Sequence, residues 1–109
     1  MPYNLDLEDR IDRLSPRLGD LVKKKMFGGV CYMVTGNLCF GIHKEYLLLR
    51  TSPEQADKLL KDENYSIFDI TGRPMKGWLF VSPDAVETEA QLLKHLNIGL
   101  KFASSLPKK

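Results

Sequence analysis

The stretch VCYMVTGNLCFGI sets two apolar runs either side of the turn residues Thr35, Gly36 and Asn37. That pattern predicts a β-hairpin. Strands joined by so short a turn must run antiparallel. Lys44-Glu45 predicts a second tight turn, and residues 46–51 a third strand. Ser52-Pro53 reads as a helix cap followed by a proline at the first helical position, opening a short helix over 53–62. Strands are predicted over 65–70 and 75–81, with Thr71-Gly72-Arg73-Pro74 as the turn between them.

Helices bracket these strands. Leu7, Ile11, Leu14 and Leu18 form one apolar stripe. Asn4 or Asp6 caps its start, and Pro16 ends it near Ser15. Ser82-Pro83 marks another helical start. Thr88 with Gln91 makes a capping box for a last helix that lines up Leu92, Leu96, Leu100 and Ala103. The predicted order is α-β(3)-α-β(2)-α. This is an α+β fold with a five-stranded antiparallel sheet and helices packed on one face, in a single domain over 1–109.

A two-residue hairpin loop assigns the faces. Cys31, Met33, Leu38, Phe40 and Ile42 share one face, expected beneath the helices. Tyr32, Val34, Cys39 and His43 share the other. With Trp78 added, Tyr32, Val34 and Cys39 make an apolar face larger than a monomer usually exposes, expected to meet a second copy or another partner. Cys31 and Cys39 fall on opposite faces, so no disulfide joins them.

Chemistry is sparse. Cys39 and His43 lie four residues apart along a strand, ~13 Å, too far for a thiol–base pair. Cys31, Cys39 and His43 lack the short cysteine spacing of structural zinc. No pair of carboxylates falls in a recognisable pocket, and dinucleotide-binding and P-loop motifs are absent. No catalytic residue, metal or cofactor is therefore assigned. If an unrecognised pocket binds a small molecule, Cys39, His43 and Arg50 are the first suspects. The 109 residues carry a net charge of +2, too little to imply nucleic acid by itself. The acidic N-terminus has no secretory h-region, and no apolar run approaches ~18 residues, so a cytoplasmic protein with no membrane span is expected.

KKKMFGG, residues 23–29, looks like a phosphate loop but is followed by a strand, so no helix N-terminus faces an anion. Gly28 and Gly29 instead suit positive φ or a close backbone crossing. Lys23, Lys24 and Lys25 alternate in direction if extended. The pair Met26-Phe27 is expected to anchor the strand start in the core.

Taken together, Lys25-Met26-Phe27-Gly28-Gly29, the hairpin turn at Gly36, Gly72-Arg73-Pro74-Met75 and Ser82-Pro83 resemble the N-terminal domain of the TfoX/Sxy family of bacterial competence regulators. The resemblance runs from about Leu5 to Leu106. It implies a secretion-chaperone-like α-β(3)-α-β(2)-α fold and a non-enzymatic regulatory module acting by protein–protein contact. The implied partner is a protein of the transcription machinery. Family regulators generally carry a further helical domain, so this chain is expected to act as the N-terminal module alone. The alternative function is nucleic-acid binding through Lys23, Lys24, Lys25, Arg73 and Lys76, with Trp78 as a stacking surface.

Overall fold

The computed structural model describes residues 3–26, 28–68 and 76–107. Helix α1 spans Leu5–Leu14, and Asn4 caps it by accepting the Leu7 N–H at 3.0 Å. A 3-10 turn follows over Ser15–Arg17. Four strands come next: β1 Val22–Met26, β2 Gly29–Val34, β3 Asn37–His43 and β4 Tyr46–Arg50. Helix α2 is Pro53–Leu59, β5 is Tyr65–Ile67 and β6 is Trp78–Val81. A second 3-10 turn, Pro83–Val86, leads into α3, Glu89–Ser104. Ser52 caps α2, and the Thr88–Gln91 capping box is formed in both directions.

The sheet has the order β1-β2-β3-β4-β6-β5, antiparallel throughout. Among the described residues it has six strands where the sequence pattern gives five. The extra strand is β1, built from Val-Lys-Lys-Lys-Met at the sheet edge. Three consecutive lysines show no alternation of apolar and polar residues, so periodicity misses it. Lysines suit an edge strand, because they discourage pairing with another chain. The strands predicted over 65–70 and 75–81 appear as the shorter β5 and β6, with Phe68 and residues 76–77 outside them; 69–75 lie outside the described residues.

KKKMFGG runs from within β1 into the first residue of β2. Met26 pairs with Gly29, and Gly28 between them holds φ +73°. A Cβ on Gly29 would overlap the Ile42 carbonyl, so the strand passes close against β3 only because this residue has no side chain. Phe27 and the Met26 side chain lie outside the described residues.

The hairpin faces need correction. The Thr35-Gly36 turn has φ of 49° and 84°, a type I′ geometry with two residues, as expected. But Tyr32 pairs with Phe40 and Met33 with Leu38, which leaves Cys39 as an extra residue on β3. This β-bulge shifts the parity of the strand. Val30, Tyr32, Cys39, Phe40 and Ile42 join Leu7, Ile11, Leu14, Leu92 and Leu96 in the helix-side core, with Val34 packed against it. Cys31 and Leu38 fall on the other face, where they form a second core with Leu48 and Phe68. Both thiols are free and on opposite faces.

Helix α3 crosses β3 at the bulge. A Cβ on Gly99 would collide with the Cys39 carbonyl oxygen and press on Leu49 Cδ1 at 3.1 Å. Arg10 ties α1 to the same layer by donating to the carbonyls of Val86, at 2.7 Å, and Glu87. Gly99→Ala separates propensity from packing. Alanine favours helix by about 1 kcal/mol, yet the overlap should cost more. A net loss of about 1–3 kcal/mol is expected in urea unfolding; a gain in stability would show that α3 does not sit this close.

Candidate functional site

Cys31 and Cys39 are each 1% exposed or less. Burial pushes both thiols up to about 11, and for Cys39 a backbone hydrogen bond at Val34 and, after it, the Arg50 charge only partly offset it. Neither is a nucleophile near neutral pH. His95, 5% exposed on α3, sits between two partners. Burial lowers its pKa. Nδ1–H donates to the Gln91 carbonyl at 2.8 Å, and neutral Nε2 accepts the Tyr65 hydroxyl at 2.7 Å. The imidazole thus ties α3 to β5. Among the described residues no group of histidine, cysteine and carboxylate side chains could hold a metal ion.

Of the predicted basic residues, Lys23 is engaged. Its Nζ lies 2.7 Å from Glu8 and 2.8 Å from Asp12, both on α1. Burial works against its charge, but the two carboxylates outweigh it and raise its pKa. Asp12 also accepts the Tyr32 hydroxyl at 2.7 Å. Lys23 and Lys25 pair with Tyr32 and Val30, on the helix side, whereas Lys24 pairs with Cys31 on the other. The three do not form one patch. Lys76 is exposed beside Trp78. Arg73, like Gly72 and Pro74, lies outside the described residues.

The face expected to meet a second copy does not exist as drawn. Tyr32 and Cys39 are buried under the helices and Val34 packs there, because of the bulge. Only Trp78 of the four lies on the opposite face. That face carries an aromatic layer instead. Phe80 stacks with His43 at 5.6 Å and meets Tyr46 and Phe68 at 5.7 and 5.2 Å, and Phe68 meets Trp78 at 5.5 Å. Trp78 and Phe80 remain half-buried.

Arg50, paired with Trp78 across β4 and β6, is the residue where the two layers meet. Its guanidinium lies 5.2 Å from the Trp78 ring centre and 5.5 Å from that of Phe102 on α3. The two rings hold a cation by cation–π attraction. Trp78 also lines an apolar cavity of about 280 Å³ with Ala56, Leu60, Ile67 and Leu79, between α2 and β5–β6. Its rim carries Asp57 and Lys76. Of the suspects for an unrecognised pocket, Cys39 is buried under α3, while His43, stacked on Phe80, and Arg50, between Trp78 and Phe102, are both half-buried, so the three do not come together. Sequence reasoning missed Phe102 as a partner of Arg50, since the two are far apart in the chain and no local pattern links them.

Residues 12–103 match the family model described as TfoX N-terminal domain. The matched span starts within α1, takes in the six strands of the described residues and ends within α3. No curated protein and no solved structure matches the chain.

The buried thiols make a pH-dependent test. Their raised pKa favours the neutral form in the folded state, so this stabilisation is full at neutral pH and is lost as pH rises from 9.0 towards about 11. Thiol labelling at pH 7.5 should be slow and track unfolding, and stability should fall across that alkaline window. Fast labelling of the folded chain would contradict the burial.

Proposed function

The chain belongs to the TfoX N-terminal domain family, and from that premise we propose that it is a non-enzymatic regulatory module working by protein–protein contact. The observation that carries this reading is the half-buried aromatic surface at Trp78 and Phe80, next to the apolar cavity beside α2. Aromatic residues that are partly exposed beside a pocket are the usual anchors of protein interfaces. The family resemblance points to a partner from the transcription machinery. The side chains with catalytic potential favour the same reading. Both thiols are protonated within the cores, and His95 has each ring nitrogen engaged.

Nucleic-acid binding is less favoured. Lys23 is neutralised by two carboxylates, and Lys24 and Lys25 face opposite ways. A homodimer is also less favoured, because three of the four residues expected at its interface serve the helix-side core.

An affinity capture with the immobilised chain should retain a transcription-associated protein from the native cell. Trp78→Ala, with folding checked by circular dichroism, should weaken that capture by about tenfold or more. Recovery of no such partner by the unaltered chain would contradict the reading. A gel shift at low salt, where phosphate attraction is greatest, should show no DNA or RNA binding; a salt-dependent shift would favour the nucleic-acid alternative.

A further inference from the structure

A second cleft lies between the start of α2 and the last turns of α3. It holds about 420 Å³ and is lined by Thr51, Ser52 and Gln55 on one side and Ile98, Lys101 and Phe102 on the other. Among the described residues no carboxylate lines it. The side-chain charge there is positive, set against only the partial negative charge at the end of α3. Lys101 has no ion pair among the described residues, and Arg50 adds a second cation across the Phe102 ring.

The polar side chains are donors waiting for an acceptor. Thr51 is 4% exposed, and its backbone N–H is satisfied by the Gly77 carbonyl at 2.7 Å. Its hydroxyl has no protein partner among the described residues, and no buried side-chain polar atom is fully shut away without one, so the hydroxyl opens to the cleft. A hydroxyl open to the cleft is free to donate to an oxygen placed there. Ser52 Oγ accepts the Gln55 N–H at 3.2 Å, which leaves its proton free to donate. The Gln55 side-chain amide adds two more donors. The Ser105 hydroxyl, also at the cleft, is already donating to the Phe102 carbonyl at 2.6 Å and is not counted.

We propose that this cleft binds an oxyanion, a phosphate or carboxylate group carried by a small molecule. Lys101 supplies the charge, and Thr51, Ser52 and Gln55 donate hydrogen bonds to the oxygens. Ile98 and Phe102 give the carbon part of the ligand an apolar wall. Arg50 is a positioning residue, which raises the local potential through Phe102. The site is separate from the apolar cavity beside β6 and stands whether or not the chain works by protein contact.

The test is a titration of the isotopically labelled full chain with inorganic phosphate and, separately, with acetate, at constant ionic strength. Saturable shifts should centre on Thr51, Gln55 and Phe102. Lys101→Gln should weaken binding about tenfold, and Thr51→Val about fivefold. Lys94→Gln, exposed elsewhere on α3, should leave it unchanged. Tighter binding of phosphate assigns a phosphorylated ligand, and tighter binding of acetate a carboxylate. Because Thr51 is buried and its variant can lose stability, the exposed Lys101 decides the matter. The proposal is overturned if neither anion saturates, if Lys101→Gln changes nothing, or if Lys94→Gln weakens binding as much.

Discussion

One residue too many on β3 organises this structure. Cys39 has no partner on β2, and the resulting bulge turns both Cys39 and Phe40 towards the helices. The backbone at Cys39 then meets α3 at Gly99, where no side chain intervenes. That contact sets the height and direction of α3 over the sheet. One turn further on, Phe102 comes to lie over Arg50, and Lys101 faces the start of α2. The cleft follows from how closely a helix and a strand can approach.

The sheet divides the molecule into two cores, and the bulge places Cys39 and Phe40 together in the larger. The larger one is the familiar arrangement of helices on a sheet. The smaller one, Cys31, Leu38, Leu48 and Phe68, is closed partly by the aromatic rings of Trp78 and Phe80. A sheet with both faces apolar needs such a cover. Phe68 and the rings around it provide it within the chain, so the apolar residues on that face do not require a second copy.

Much of the fold is legible in the sequence because it is written in local chemistry. The Asn4, Ser52 and Thr88 caps, the proline at the start of α2 and the I′ turn at Thr35-Gly36 each act within a few residues. The stripe Leu7, Ile11, Leu14 is read from period alone. The losses have physical causes too. A lysine-rich edge strand carries no hydrophobic alternation, which hid β1. A bulge leaves no compositional mark between Leu38 and Phe40, so strict alternation put Tyr32, Val34 and Cys39 on the wrong face. KKKMFGG was legible in its glycines, since Gly28 and Gly29 have the backbone roles their chemistry suits. It was less so in its lysines, because the carboxylates that hold Lys23 come from α1. The candidate sites were the least legible. Arg50, Trp78 and Phe102 sit on three separate elements, and only the folded sheet brings them together.

The central claim is the bulge and the close seating of α3 upon it. Proton–proton Overhauser contacts in solution test it directly. The expected result is contact from the Gly99 α-protons to Cys39, with Cys39 β-protons near α3 and none near Trp78 or Phe80. Contacts from Cys39 to those two rings, with Leu38 facing α3 instead, would mean an unbulged strand and would contradict the account.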